Sequence, residues 1–166
     1  KLTGGRAFQC DMTNASRTLL FNLHTLDWDE ALLSLFRIPR QVLPEVRAST
    51  GGIGPTVACG KLPDGVPISA MIGDSHGALV GHAGFDPGAV KATYGTGSSV
   101  MTSIETPILS QRGLSTTIAW SQAGHVTYAL EGNIYATGAT IQWLGKLFGW
   151  PNAAETATKL ATAVPD

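Results

Sequence analysis

The sequence predicts an α/β fold, because patterns typical of strands and patterns typical of helices both recur along its 166 residues. A short apolar run at residues 68–72 leads into Gly73 and Asp74, and a small-residue segment of helical character follows at residues 76–83. Further strands are expected at residues 91–94, 98–103, 115–120 and 125–130, which alternate or cluster as strands do. A stripe of apolar residues on one face then predicts a helix over residues 134–148.

Three more helices are predicted from periodicity and from capping patterns. The first covers residues 14–24. The second is expected to open at Asp27, which precedes Glu30 by the three-residue spacing of a capping box. The last is expected to open at Asn152, which has the same spacing to Glu155. Glycines and prolines mark a long, turn-rich connection in the middle of the chain.

The composition excludes several classes of partner. Hydrophobic residues make up 43% of the chain and charged residues 14%, which predicts a folded chain rather than a disordered one. Lysine and arginine number 11 against 12 acidic residues, and no basic stripe is present, so nucleic acid is not expected as a partner. No apolar run approaches the roughly 18 residues of a membrane span, so no membrane partner is expected either.

The two cysteines, Cys10 and Cys59, have neither metal-binding nor redox spacing. They are expected to be small buried apolar residues in a reducing, cytoplasmic compartment. The four histidines do not form a metal cluster by spacing, because His76 and His82 lie six positions apart and would face different sides of a helix. The sequence therefore predicts no metal ligands.

Asp74 is the first candidate for chemistry. It stands where an apolar strand gives way to a helix, and the ends of strands in open α/β sheets commonly carry the reactive groups. A carboxylate there can accept the proton of an alcohol during phosphoryl transfer. The alternative is a helix cap, because an aspartate side chain often accepts a hydrogen bond from an unpaired N–H group at the start of a helix. The residues alone favour the cap.

The segment Gly95-Thr96-Gly97 is the second candidate. Its glycines leave the backbone unobstructed, so the N–H groups and the threonine hydroxyl can approach a phosphate closely. The alternative is a simple hairpin turn, for which the same residue types are common. Along the helix predicted at residues 134–148, Gly138, Ile141 and Gln142 read by themselves as ordinary core and surface positions.

Several segments resemble a known family in the same order along the chain. The motifs GDSHGAL at residues 73–79 and TYGTGSS at residues 93–99 are similar to signatures of the FGGY family of carbohydrate kinases. Similar blocks include IPRQVLPEVR, GLSTTIAW and YALEGNIYATGATIQWL, and together the matches cover most of residues 2–147. Among the members of the family, the glycerol kinases are the most similar.

The resemblance implies a ribonuclease-H-like, actin-like α/β fold, of which this chain would be a fragment spanning parts of two domains. Residues 1–86 would form the end of the N-terminal, substrate-binding domain. Residues 87–166 would form the first part of the C-terminal, nucleotide-binding domain. The whole kinase is expected to be about three times as long as this chain, a length that accommodates several domains. The fragment alone is expected to be inactive.

The resemblance also implies roles for individual residues. Asp74 matches the catalytic base, and Asp74, Ser75 and Ser99 match positions that contact the substrate. Gly95, Thr96 and Gly97 match the segment that faces the transferred phosphoryl group. Gly138, Ile141 and Gln142 match positions that border the nucleotide. The implied cofactors are ATP and Mg²⁺, and the full-length parent is expected to be a homo-oligomer.

The implied reaction is transfer of the γ-phosphoryl group of ATP to a primary hydroxyl of a polyol or sugar, and glycerol is the nearest substrate by resemblance. One alternative is a four- to six-carbon sugar or polyol such as a ketopentose. Ser75 and Ser99 favour it, because glycerol kinases have glutamine and phenylalanine at the matching positions, and shorter side chains enlarge the pocket. The other alternative is a non-catalytic binding or regulatory module, although Asp74 and the Gly95-Thr96-Gly97 segment are intact.

Overall fold

The computed structural model describes residues 1–165 and has the mixed α/β architecture that the sequence predicts. In chain order the strands are β1 (Gln9–Asp11), β2 (Phe21–Asn22), β3 (Asp27–Trp28), β4 (Glu45–Arg47), β5 (Thr50–Pro55), β6 (Pro67–Ala70), β7 (Val90–Tyr94), β8 (Ser98–Ile104), β9 (Ser115–Gln122) and β10 (His125–Ile134). The helices are α1 (Met12–Ala15), α2 (Glu30–Phe36), α3 (Asp74–Gly81), α4 (Gly138–Phe148) and α5 (Ala153–Thr162), with a 3₁₀ turn at Arg40–Val42.

The largest sheet is antiparallel and has the strand order β7-β8-β10-β9. Three two-stranded sheets lie in the N-terminal half: β1 pairs with β4 in parallel, β2 with β3 and β5 with β6 antiparallel. All four strands predicted after residue 90 are confirmed, and β10 extends beyond the expected end because its pairing with β8 continues to Ile134 opposite Ser98. For the same reason the predicted helix at residues 134–148 begins only at Gly138.

The predicted helix at residues 14–24 is wrong. The chain forms only the four-residue α1, whose N-terminus is capped by the Asp11 side chain. It then turns through Leu19, which has a φ of 63°, and enters the β2–β3 hairpin. The Asn22 side chain accepts hydrogen bonds from the N–H groups of His24 and Thr25, and such local side-chain bonds compete with helix formation.

The capping role predicted for Asp27 is also wrong. Asp29 is the N-cap of α2, and its carboxylate accepts a hydrogen bond from the Leu32 N–H at 3.0 Å. The Asp27 carboxylate instead pairs with Arg40 at 2.7 Å. The cap predicted for the last helix is confirmed, because the Asn152 side chain accepts from the N–H of Glu155.

Two apolar clusters fix the sheet against the rest of the chain. One cluster joins Phe21, Trp28 and Leu33 of the N-terminal half to Ile118 of β9. The other places Leu79 of α3 against apolar residues of β8, β9 and β10. Because α1 and α3 both pack against the sheet, the loop before α3 lies beside strand β10, where the candidate site is formed.

Cys10 and Cys59 are half-buried free thiols, whereas the sequence predicts small buried residues. Burial, with the neighbouring charge of Asp11, raises the pKa of the Cys10 thiol to about 11. None of the helices within residues 1–165 is both long and apolar enough to cross a membrane.

Candidate active site

A cleft of about 350 Å³ lies where α1 and the residues just after it, the start of α3 and strand β10 meet. The residues that line this acceptor cleft are Asn14, Arg17, Ile72, Gly73, Asp74, Ser75, His76 and Glu131. Two of them, Asp74 and Ser75, are site residues predicted from the sequence. The cleft therefore brings a predicted base and a predicted substrate contact together with an arginine and a second carboxylate.

The start of α3 is held in place by a chain of buried polar groups. The Gly73 N–H donates to the Thr13 hydroxyl at 2.8 Å, and that hydroxyl donates to Asp11 Oδ1 at 3.0 Å. Asp11 is almost fully buried, and its other oxygen accepts from the Ser49 hydroxyl. These bonds tie two separate segments of the N-terminal half to the residue that precedes Asp74.

Asp74 is the first residue of α3, and its side chain is exposed to the cleft. Gly73, not Asp74, occupies the N-cap position, and the Asp74 Oδ1 atom accepts a hydrogen bond from the Ser75 N–H at 2.7 Å. A carboxylate at this end of a helix interacts favourably with the helix dipole. The second oxygen remains available to a hydroxyl group in the cleft.

Arg17 and Glu131 form an ion pair across the cleft wall. The Arg17 Nη1 atom lies 2.5 Å from Glu131 Oε2, and the exposed fractions of the two side chains are 45% and 3%. The Ser99 hydroxyl donates to the other oxygen, Oε1, at 2.8 Å. Burial by itself would raise the pKa of Glu131, but hydrogen bonds from Ser99 and Asn133 and the charge of Arg17 hold it below its ordinary value.

Two further titratable groups are buried near this ion pair. Burial, and then the charge of Arg17, lowers the pKa of His76, so its imidazole is neutral at pH 7. His76 Nε2 lies 3.3 Å from the Thr117 hydroxyl, whereas Nδ1 has no hydrogen-bond partner within the described residues. Burial lowers the pKa of Lys91, while the charges of Glu131 and Asp74 oppose that shift. Its ammonium group donates to the Thr93 hydroxyl at 3.0 Å.

The Gly95-Thr96-Gly97 turn packs directly on the N-terminus of α4. The N–H groups of Thr137 and Ala139 donate to the Thr96 carbonyl, and the Gly138 N–H donates to the Gly95 carbonyl, each at 3.0 Å. A Cβ atom at Gly138 would stand 2.6 Å from that Gly95 oxygen. Only glycine therefore permits this approach.

Two N–H groups of the same turn donate no hydrogen bond to the described part of the protein. Thr96 is exposed, and neither its backbone N–H nor that of Gly97 donates to a protein atom within residues 1–165. The Thr96 hydroxyl adds a third polar hydrogen at the same place. Together these groups can donate to a phosphate without displacing an existing hydrogen bond.

The structure groups the predicted site residues in two places. Asp74 and Ser75 line the acceptor cleft, whereas none of the three turn residues does. Gly138 contacts the turn, and further along α4 Ile141 is half-buried and Gln142 exposed. Ser99 reaches the cleft only through Glu131. The Ser99–Glu131 hydrogen bond thus connects the two places.

Besides Asp74, the cleft has three titratable residues that sequence reasoning missed: Arg17, Glu131 and His76. Arg17 was hidden by the incorrect helix at residues 14–24, and His76 was considered only as a metal ligand and rejected on its spacing to His82. The sequence did contain a signal for Glu131. This charged residue directly follows the predicted strand at residues 125–130, and the two residues before it are apolar. A charged residue at such a position requires a partner when it is buried.

Within the part of the chain that the structure describes, no group of three or more histidine, cysteine, aspartate or glutamate side chains could hold a metal ion. A magnesium ion that accompanies a nucleotide does not require such a cluster, because it commonly binds phosphate oxygens, water and one or two carboxylates.

Two family models match the chain in succession. Residues 1–81 match the FGGY family of carbohydrate kinases, N-terminal domain, and residues 90–164 match the C-terminal domain of the same family. An apulose kinase from Pectobacterium atrosepticum is 52% identical over 163 residues, and a glycerol kinase from Rhodospirillum centenum is 46% identical over 168 residues. The matches cover 97% and 100% of this chain but 32% and 33% of those relatives.

The chain thus spans about a third of the length of the curated relatives it matches. Solved structures agree in fold. The crystal structure of Plasmodium falciparum glycerol kinase with ADP superimposes with a TM-score of 0.85 at 36% identity, over 98% of this chain and 33% of that one. A ligand-bound xylulose kinase from Lactobacillus acidophilus has a TM-score of 0.79 over the same shares, and at 24% identity it supports the fold alone.

Proposed function

The chain belongs to the FGGY family of carbohydrate kinases, and from that premise we propose that its protein transfers the γ-phosphoryl group of ATP to a primary hydroxyl of a polyol or sugar. Its fold is the ribonuclease-H-like α/β fold of these kinases, over parts of two domains. We assign residues 1–86 to the substrate-binding domain and residues 87–166 to the nucleotide-binding domain. The observation that carries the proposal is the exposed Asp74 carboxylate in a polar cleft.

In the proposed reaction Asp74 orients the acceptor hydroxyl and takes its proton as the oxygen attacks the phosphorus atom. Thr96 and Gly97 donate hydrogen bonds to the transferred phosphoryl group, and Gly138, Ile141 and Gln142 border the nucleotide. Magnesium, held by the phosphates and water, neutralises charge on the phosphoryl oxygens. Most of the rate enhancement would come from positioning the two substrates.

Glycerol is the first acceptor that we propose, because glycerol kinases are similar over the whole chain. The test is an assay of the complete gene product for ADP formation that depends on both Mg²⁺ and an added polyol. We expect turnover with at least one acceptor. If none of the tested polyols and ketoses supports acceptor-dependent turnover, the result contradicts the kinase function and favours a non-catalytic binding module. We also place the protein in the cytoplasm as a homo-oligomer, which fractionation and light scattering would test.

A second candidate acceptor is a four- to six-carbon sugar or polyol, such as a ketopentose. Two observations favour it: the short side chain of Ser75 in the cleft, and the 52% identity to an apulose kinase. Ser99, the other short residue, lies behind Glu131 and contacts the cleft through it. We expect kcat/KM for some tetritol, pentitol or ketose to equal or exceed that for glycerol. The same panel is repeated with the double change Ser75→Gln and Ser99→Phe. A strong wild-type preference for glycerol that the double change leaves untouched would exclude this candidate.

A further inference from the structure

We propose that Arg17 donates hydrogen bonds to an oxygen of the acceptor, away from the hydroxyl that is phosphorylated, and that Ser99 and Glu131 hold its guanidinium in position. This inference rests on the proposed kinase function and specifies its acceptor as a neutral polyhydroxylated compound. Arg17 is then a specificity-determining residue, and Ser99 and Glu131 are positioning residues that act through it.

The guanidinium of Arg17 has unused hydrogen-bond donors in the cleft where the acceptor would bind. It lines the same cleft as Asp74 and Ser75, and its side chain is 45% exposed. Its hydrogen bond to Glu131 uses one of five N–H donors. Among the residues that the structure describes, no other protein atom accepts a hydrogen bond from this guanidinium. The remaining donors are therefore free to bond to an acceptor oxygen in the cleft that Arg17 lines.

The guanidinium is also held in place. Glu131 is 3% exposed, so its charge requires a permanent partner, and Arg17 supplies it. The Ser99 hydroxyl fixes the other oxygen of the carboxylate at 2.8 Å. Ser99 itself lies on β8, two residues after Gly97, so the arrangement links the phosphate-facing turn to the acceptor cleft. A side-chain hydroxyl is needed for this bond, and the phenylalanine that the resemblance implies for glycerol kinases could not form it.

The charges of the cleft favour an uncharged acceptor. Its lining carries one cation, Arg17, and two anions, Asp74 and Glu131, and the ammonium group of the buried Lys91 interacts with both carboxylates. The two positive and two negative charges balance, and Arg17 is already paired with Glu131, so no unpaired cation is left to hold a sugar acid or a phosphate. Hydroxyl and carbonyl oxygens need only hydrogen-bond donors. Since Gly95, Thr96 and Gly97 lie outside the cleft, the phosphoryl group has a separate place to bind.

The test uses the complete gene product and its best neutral acceptor. Arg17→Lys keeps a positive charge for Glu131 but loses the forked donors. Arg17→Met with Glu131→Gln removes both charges, so no buried charge is left unpaired. Ser99→Ala removes the supporting hydroxyl, and Ser99→Thr retains one. Arg47→Lys, at an exposed ion pair outside the cleft, is the matched control. The readouts are KM for the acceptor, KM for ATP, kcat and calorimetric acceptor binding.

We expect Arg17→Lys and the double variant to raise the acceptor KM about tenfold or more, as expected for hydrogen bonds from a charged donor. The ATP KM should change less than about twofold. Ser99→Ala should weaken acceptor binding in the same direction, Ser99→Thr should restore it, and Arg47→Lys should match wild type. An aldonate should bind more weakly than the neutral acceptor.

An unchanged acceptor KM in both Arg17 variants would overturn the inference and leave the kinase function standing. So would a rise in the ATP KM in place of the acceptor KM, because Arg17 would then contact the phosphates. Preferred binding of the aldonate would overturn the neutral-acceptor assignment. A wild-type protein that neither phosphorylates nor binds any acceptor would overturn both the inference and the proposed function.

Discussion

Asp74 is the side chain on which the proposed chemistry depends most directly. In the complete gene product we expect Asp74→Asn to abolish phosphorylation while nucleotide binding stays nearly intact, because an amide cannot take the proton of the acceptor. The loss should appear in kcat rather than in the acceptor KM. Asp86→Asn, an exposed aspartate outside the cleft, is the control. Retention of more than about a tenth of the turnover, equivalent to about 1.4 kcal/mol, would contradict the base assignment.

Glu131 makes the stability of the protein depend on pH in a defined direction. Its pKa in the folded state lies below the ordinary value of 4.5. The ionised carboxylate therefore stabilises the fold above pH 4.5, and this contribution is lost as the pH falls through the lowered pKa. We expect Glu131→Gln to reduce the free energy of unfolding by about 1.5–3 kcal/mol at neutral pH, the range for hydrogen bonds to charged groups.

Urea unfolding of wild type and Glu131→Gln, at neutral pH and again well below pH 4.5, measures this contribution. The difference between the two proteins should shrink in acid, because a protonated glutamate resembles a glutamine. The exposed Glu105→Gln provides the comparison for a carboxylate without such contacts. A difference that stays constant with pH would show that the contribution of Glu131 to the free energy of unfolding does not depend on its charge.

Helix α4 and the Gly95-Thr96-Gly97 turn behave as one unit, because the turn carbonyls accept the first N–H groups of the helix. We expect Gly138→Ala to push the turn away from the helix, since the new Cβ atom would stand 2.6 Å from the Gly95 oxygen. Such overpacking costs about 1–3 kcal/mol of free energy. Because the displaced turn would bind the phosphates of ATP less well, we expect the ATP KM to rise about tenfold.

Gly81→Ala is the matched control for Gly138→Ala. Gly81 also lies in a helix, α3, but a Cβ atom there would meet nothing within 4 Å. Alanine favours helix by about 1 kcal/mol over glycine, so this change should leave the thermal midpoint equal or higher. Equal ATP KM values for the two variants would show that the close approach of α4 to the turn has no functional role.

The chain as a whole is expected to be inactive when it is produced alone as 166 residues. It spans about a third of its curated relatives and would provide only part of the substrate and nucleotide contacts. Strands β7 and β9 are the edges of the four-stranded sheet, and open edges promote aggregation. A coupled ADP-release assay on the purified chain should show no turnover and only weak ATP binding. Kinase turnover from this chain alone would contradict the expectation.

Local patterns predicted much of the element content correctly. The four strands after residue 90 and the helix capped by Asn152 were confirmed, because alternation and capping depend on near neighbours. The helix at residues 14–24 failed although its leucines had helical spacing. Its polar side chains bond the nearby backbone, and Phe21 and Trp28 gain more by packing edge to face in a hairpin against Ile118. That packing involves residues far apart in the sequence.

The residues of the candidate site also fall into those that local patterns predicted and those that long-range packing brought together. Asp74, Ser75 and the Gly95-Thr96-Gly97 turn were recognised from continuous motifs, since each motif carries its own chemistry within a few residues. Arg17 and Glu131 lie 114 positions apart, and their pairing depends on how the segment after α1 is placed beside β10. The placement of Ser99 behind Glu131, rather than in the cleft, depends on the register of β8 against β10. The sequence by itself determined which reactive groups are present. Only tertiary packing of distant segments decided which partner the buried charge of Glu131 has, because burial and pairing arise together, and the same packing formed the cleft.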